Sequence, residues 1–375
     1  MTNSWDAERV DTIIVGGGQA GLATAHYLAL AGVECLVLDN HHRIGDQWRE
    51  RWDSLMLNTP RYRNGLPGLA FPGNSDFASA HELADYLEGY ARHFGIRVRT
   101  GAVVTGVNRL AEGDWQVTCA DRTYLARNVV IATGGERNPR IPDFADQVDP
   151  GIRQLHSSAY RNPGQLLPGG VLVVGAGQSG ADLAAECARA GHETWLSGRI
   201  KGEVPFPIDS VMSKLAFPVL WFAANHVLTE RTPIGRRIKP AVRSGSTAPL
   251  VRVRSVDLDR AGVRRVEART VGVRDGRPLL ADGQVLDVAN VLWCTGFRQD
   301  FSIIHAAVTD DSGWPTDTGG IMTGLPGLYF MGLLFQRGFY SMLIGGVGRD
   351  AKYIARHIAA RSVAQRPVPE ADRAR

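Results

Sequence analysis

The apolar positions of this chain fall into distinct patterns. Two short unbroken runs, IIV at 13–15 and VLVV at 171–174, each stop at a glycine and lead into a segment of helical composition. Apolar runs of that length, bounded by turn residues, are buried strands. The helical segment after the first run, Leu22 to Ala31, ends at Gly32, a residue suited to the left-handed position that follows a helix. A further strand, ECLVLD, closes the unit on Asp39. The second copy has the same order: strand, glycine turn, helix, Gly191, then a strand that runs into Ser197-Gly198-Arg199. Both are βαβ units, and they predict parallel sheets.

Other stretches carry other rhythms. Ser79 to Phe94 predicts an amphipathic helix, with Leu83, Leu87, Tyr90 and Phe94 at helical spacing and a capping box from Ser79 and Glu82. IRVRTGAVVTGVNRL and WQVTCADRTYLARNVVIATGG alternate as antiparallel strands do, and the last ends in a buried run. VANVLWCTGF (Val288 to Phe297) repeats that ending, a strand running into Thr-Gly. Arg140 to Pro168, rich in Pro, Gly, Asp and Asn, reads as a linker. Lys201 to Val251 is less regular, and strand-like stretches resume from Val251 to Val288. The chain closes on a strand, a glycine-rich loop and a helix within 327–360. The apolar stretch at 211–227 reads as a buried helix ahead of a lid or a membrane-touching patch.

The two glycine turns are one element used twice. IVGGGQAGLATA and VVGAGQSGADLA share six of twelve positions, including Gly16, Gly18 and Gly21 in the first and Gly175, Gly177 and Gly180 in the second. In G-x-G-x-x-G the first glycine permits a tight turn, the second lets a phosphate approach the backbone, and the third lets helix and strand pack closely. The helix then offers free N–H groups and a positive dipole end to a pyrophosphate. Two such turns imply two dinucleotides. The end of the second strand in each unit tells them apart. Asp39, 21 residues after Gly18, can accept from a ribose hydroxyl pair, which suits FAD or NAD. The matching position after Gly177 is Gly198, flanked by Ser197 and Arg199 with Lys201 close by. An arginine pairs with a 2′-phosphate that an acid would repel, so the second turn predicts NADPH.

Composition narrows the picture further. The chain has 375 residues, 44% apolar and 21% charged, which allows two domains or three and an ordinary core. The net charge of +4 comes without an aromatic or basic recognition motif, so no nucleic-acid partner is expected. Cys35, Cys119, Cys187 and Cys294 lie far apart, with neither C-x-x-C nor a metal-ligand spacing, which speaks for a reducing compartment and no metal. The polar N-terminus is no signal peptide and no apolar run could span a bilayer; a cytoplasmic protein is expected.

Two dinucleotide loops, two strand-plus-Thr-Gly segments and the closing GLYFMG resemble the two-dinucleotide-binding flavoproteins, and most of all the flavin-containing monooxygenase group. The likeness covers nearly the whole chain. GDQWRERWDSLMLNTPRY (45–62) is similar to the segment these enzymes place beside the flavin, and HSSAY (156–160) to the end of their linker signature, with Pro150 and Ile152 where Phe and Gly are expected. The resemblance implies an α/β fold of two Rossmann-like domains, the NADPH domain inserted into the FAD domain: 1–145 and 288–375 for FAD, 146–287 for NADPH. It places FAD contacts on Gly16, Gly18, Gln19, Ala20, Gly21, Asp39, Asn40, Gln47, Trp48, Arg51, Thr59, Val104, Ala132, Thr133, Gly134 and Gln336. NADPH contacts are expected on Gly175, Gly177, Gln178, Ser179, Gly180, Ser197 and Arg199, and further cofactor contacts on Thr295 and Gly296. Asn58 is the expected catalytic side chain, near the reacting carbon of the flavin, although Asn-Thr-Pro is also good turn chemistry.

By the same resemblance NADPH reduces FAD, and reduced flavin with dioxygen gives a C4a-hydroperoxide that oxygenates a small organic substrate. N- or S-oxygenation and oxidative decarboxylation of a keto acid are the reactions implied. Two other outcomes stay open: electrons passed to another acceptor without oxygen insertion, or a slow redox-responsive nucleotide-binding protein. A homodimer is common in the group.

Overall fold

The computed structural model describes residues 7–208, 210–244 and 249–364. The strand Glu8–Val15 lies near the centre of the larger of the two main sheets, beside which the described residues form two small two-stranded ones. Cys35–Leu38 pairs with it on one side and Thr123–Ile131 on the other, both parallel. Val98–Arg99 and Leu328–Phe330 extend the parallel set outward, and Val104–Arg109 and Trp115–Cys119 join it as an antiparallel meander. A central parallel strand is covered on both faces, which is why its sequence runs apolar instead of alternating. Helices α1 (Gln19–Leu30), α2 (Asp46–Arg49) and α3 (Ala80–His93) pack on the face that Ile14 and Val37 present. Ile13, Val15, Trp115 and Val117 form a second core on the opposite face. The capping box of α3 is present as expected: the Ser79 side chain accepts from Glu82 N–H, and the Glu82 carboxylate accepts from Ser79 N–H.

The smaller sheet is wholly parallel, in the order Arg264–Val266, Thr194–Ser197, Val171–Val174, Asn290–Trp293, Arg153–His156. Helix α4 (Gln178–Arg189) covers one face. Helices α5 (Val211–Phe222) and α6 (Pro233–Arg243) come next in the chain, then α7 (Ser255–Arg260), whose Leu258 joins the α4 core. The C-terminal helix α8 (Val347–Ala364) returns to the larger sheet and packs along α1.

Three stretches differ from their sequence reading. The expected linker contains an edge strand, Arg153–His156, too short and polar to register as a period. Asn290–Trp293 pairs within the smaller sheet, so the expected boundary at 287/288 falls just before a strand that belongs with the residues preceding it. The irregular region holds α5 and α6, whose prolines at 218 and 240 mask the helical pattern, while Ser210 and Thr232 cap their starts. The apolar 211–227 stretch is not a buried helix: Val211, Leu215 and Val219 are 73%, 70% and 69% exposed.

The two sheets are joined by paired crossovers. Asn138–Pro139, leaving the larger sheet, runs antiparallel to Phe297–Arg298, returning to it. A second tie is Trp52, which comes after α2 and is buried among Tyr160, Val173 and Ala184 of the other core.

Candidate dinucleotide sites

Each glycine turn is built by the same close approaches. A Cβ on Gly16 (φ +112°) would lie 2.3 Å from the Ala132 carbonyl oxygen, and one on Gly175 (φ +109°) 2.4 Å from that of Cys294. A Cβ on Gly21 would meet the Gly16 carbonyl at 1.9 Å, and one on Gly180 the Gly175 carbonyl at 1.8 Å. These turns tolerate only glycine because backbone packs against backbone there.

The helix starts after these turns are open. Gly18 and Gly177 begin α1 and α4 with no side-chain cap, whereas α3, α5 and α6 are each capped by a Ser or Thr. The first-turn N–H groups of α1 and α4, on Gln19, Ala20, Gln178 and Ser179, therefore have no side chain competing for them. This pattern fits a phosphate at each start.

The surroundings of the first loop are closed. Asp39 is 4% exposed; its Oδ2 accepts from Gly17 N–H (2.6 Å) and its Oδ1 from His41 N–H (2.9 Å). The carboxylate is thus held facing the loop by charge-assisted bonds. Asn40 beside it is exposed, and the Ala102 N–H donates to the Asp39 carbonyl (2.8 Å), which brings the strand starting at Val104 alongside. Gln47 lies against Gly18, its Nε2 2.7 Å from where a Cβ would stand. The indole Nε1 of Trp48 is buried without a partner. A buried donor left unpaired is costly, and a flavin acceptor would satisfy it. Ala132 and Thr133 continue the neighbouring strand at the turn, with exposed Gly134 after them. The residues present fit FAD.

The second loop is open. A Cβ on Gly177 would meet nothing within 4 Å. Arg199 reaches into solvent, its side chain 76% exposed, in a loose pair with Glu267 at 3.8 Å. Such a surface pair is weak, so the guanidinium is available to a 2′-phosphate. Ser197 is placed differently from expectation. It is 1% exposed and its Oγ donates to the Ala268 carbonyl and faces the Thr270 hydroxyl, both at 2.9 Å. The Gln178 side chain reaches the Pro249 carbonyl at 2.5 Å instead of standing free. Gln336 is likewise turned inward: its amide bonds the Phe330 and Gly319 carbonyls and accepts from Leu333 N–H. Both Ser197 and Gln336 support backbone near a loop and offer no free polar atom to a ligand.

Between the loops, the crossovers gather Arg51, His156, Phe297 and Glu136. Arg51 pairs with Glu136 and stands 5.7 Å from the centre of the Phe297 ring, while burial and nearby Arg161 push its guanidinium down. His156 donates from Nε2 to the Gly296 carbonyl (3.0 Å) and accepts at Nδ1 from Ser158. Burial holds this imidazole below its ordinary value, so it orients the linker as a neutral ring. Thr295 donates to the Arg140 carbonyl, which closes the second crossover.

The segment after α2 runs from the first loop toward α5. Leu57 N–H donates to the Ala78 carbonyl (2.8 Å), and Thr59 is pinned by fully buried Asn64. Asn58 between them is exposed and, among the described residues, has no hydrogen-bond partner. Arg61 holds the next loop through Ser75, Pro72, Phe77 and Glu82. Asn64 and Arg61 were missed in the sequence because they act through backbone that only folding brings near. Beyond them lies a cavity of about 340 Å³, walled by Pro60, Tyr62, Phe71, Phe77 and Phe217. Burial pushes the thiols of all four cysteines up, that of Cys35 to about 11 and that of Cys187 to about 12, and all four are free.

Comparison with known proteins agrees with this geometry. The pyridine nucleotide-disulphide oxidoreductase family matches residues 13–203. The fold resembles a flavin-containing monooxygenase from Stenotrophomonas maltophilia, with a TM-score of 0.76 over 95% of this chain and 99% of that one at 23% identity. A probable indole-3-pyruvate monooxygenase of Arabidopsis thaliana, YUCCA3, is 26% identical over 93% of this chain and 86% of its own. An oxidoreductase of Geobacillus kaustophilus described as CzcO-like is 37% identical over 93% of this chain and 98% of its own. The chain belongs to the pyridine nucleotide-disulphide oxidoreductase family, and its likeness to the CzcO-like protein places it among oxidoreductases.

Proposed function

We propose that this protein uses NADPH and dioxygen to oxygenate a small organic substrate, with FAD at the first loop and NADPH at the second. The observation that carries the reading is the pair of uncapped helix starts with opposite ribose readers, buried Asp39 at one and exposed Arg199 at the other. Bound FAD supplies hydride acceptance and oxygen activation, chemistry that no side chain can provide. The protein contributes position and dryness. Gln47 and Trp48 hold the flavin near the first loop, and Arg51 and His156 fix the crossovers on which the two domains meet. Asn58, exposed and without a hydrogen-bond partner among the described residues, would offer bound FAD an amide with free donors and acceptor. The aromatic cavity beyond Pro60 takes the substrate, an amine, a sulfide or a keto acid with an apolar body. The buried, widely spaced thiols speak against a dithiol relay. Domain limits follow the sheets, with 146 through the strand Asn290–Trp293 forming the NADPH unit.

The test is coupling. FAD-loaded protein is given NADPH, isotopically labelled dioxygen and a panel of amines, sulfides and keto acids, and products are read by mass spectrometry. Label in a product for at least one substrate class is expected. Hydrogen peroxide equal to NADPH consumed, with no labelled product across the panel, would overturn the reading. Asn58→Ala is expected to move the balance toward peroxide while the KM for NADPH stays unchanged.

A further inference from the structure

Helix α5 is apolar apart from Ser213 and Lys214, which pairs with Asp76 at 3.0 Å, and it is covered on one side. Its inner stripe is Ser213, Phe217 and Trp221. Ser213 is buried, Phe217 stacks on Trp221 (5.8 Å), and the Arg63 guanidinium lies 5.2 Å from the Trp221 ring. The turn after it is locked by Asn225, whose carbonyl and Oδ1 both accept from Arg349 (2.8 and 2.9 Å). The helix is therefore firmly seated. Its outer side nonetheless presents Val211, Met212, Leu215, Val219, Leu220 and Phe222, all more than half exposed. An exposed apolar patch of this kind marks something that binds there.

The charges along the same stretch of chain point to what binds. From Ser210 to Ser244 the only acid is Glu230, and Lys239 pairs with it. Arg231, Arg236 and Arg237 are exposed, and no carboxylate partner is present for them among the described residues. Exposed apolar side chains, with unpaired arginines after them along the chain, suit an interface of hydrocarbon under negative headgroups. A second copy of the chain suits it poorly, because a two-fold contact would set the same basic segment against itself.

We propose that α5 docks this protein on an anionic lipid surface, inserting Leu215, Val219 and Phe222 shallowly while Arg236 and Arg237 meet the headgroups. The attachment is peripheral. No described helix is long and apolar enough to cross a membrane.

Full-length protein sedimented with phosphatidylcholine vesicles containing phosphatidylglycerol tests this directly. Binding is expected to those vesicles and to fall on the order of tenfold with phosphatidylcholine alone, with high salt, or in Arg236→Glu/Arg237→Glu. Leu215→Asn/Val219→Asn/Phe222→Asn is expected to lose binding by more than about tenfold. These side chains face solvent, so its thermal unfolding should match that of wild type. No binding to the charged vesicles, equal binding to neutral ones, or full binding by the triple variant would overturn the proposal. Light scattering covers the remaining occupant: a wild-type dimer that the triple variant dissociates would assign the face to a second copy instead.

Discussion

At the first loop the acid is drawn in: Asp39 is buried and accepts from the loop's own Gly17 N–H. At the second the base is left out: Arg199 is in solvent, and a Cβ on Gly177 would meet no described atom within 4 Å. The backbones of the two turns are nearly interchangeable, with Gly16 and Gly175 within a few degrees of one another in φ and blocked by carbonyls at almost the same distance. One cradle can therefore serve two purposes. A closed surround, with Gln47 against Gly18, suits a nucleotide that stays bound; an open one suits a nucleotide that must come and go.

The comparison can be broken most severely at its shared element. Gly16→Ala places a Cβ where the Ala132 carbonyl stands, in a backbone region that L-residues avoid. The expected cost is about 3 kcal/mol, seen as loss of bound FAD absorbance and a lower melting temperature. Gly177→Ala meets no neighbour, so its melting temperature should hold while the KM for NADPH rises, because only an incoming phosphate needs the space. Next in size is Asp39→Asn. It replaces a carboxylate that accepts two backbone bonds with a neutral group of one acceptor oxygen, and the FAD dissociation constant is expected to rise about a hundredfold by fluorescence titration.

Arg199→Ala sharpens the difference between the loops. The KM for NADPH should rise on the order of tenfold or more and that for NADH hardly at all. Equal changes would remove Arg199 from the 2′-phosphate.

The smallest effect lies on α4. Burial raises the Asp182 carboxyl to about 6, against the pull of Arg252. A carboxyl raised on folding stays protonated in the native state at pH values where the unfolded chain has already lost its proton. Its contribution to stability is therefore lost as pH rises from about 4 to 6. Asp182→Asn is expected to melt roughly 2 °C higher than wild type at pH 8, with the difference vanishing at pH 4 by calorimetry. A gap that stays constant across that range would assign the effect to packing alone.

Much of this was legible in the residues. The two βαβ units, the α3 capping box and the acid 21 residues past Gly18 are local requirements of backbone shape and spacing, and each was found where the pattern put it. Ser197 and Gln336 turn inward, which the sequence did not show, for a common reason. A polar side chain beside a loop can face the ligand or hold the loop from behind, and the choice depends on partners such as Ala268, Thr270 and Phe330 that are distant in sequence or hidden by the turn. The edge strand at 153–156 was invisible because an edge needs only one buried residue, His156.

By itself the sequence determined the loops, their order and the charge at the strand end paired with each. Those depend on φ, on steric room and on neighbours a few residues away. Tertiary structure decided what was buried. It planted Trp52 in the other domain's core, seated α5 by one stripe while leaving the other in solvent, and turned Ser197 inward. An apolar run states only that burial is favourable. Which surface arrives to cover it is settled when the sheets and crossovers have come together, and for the outer side of α5 nothing among the described residues does.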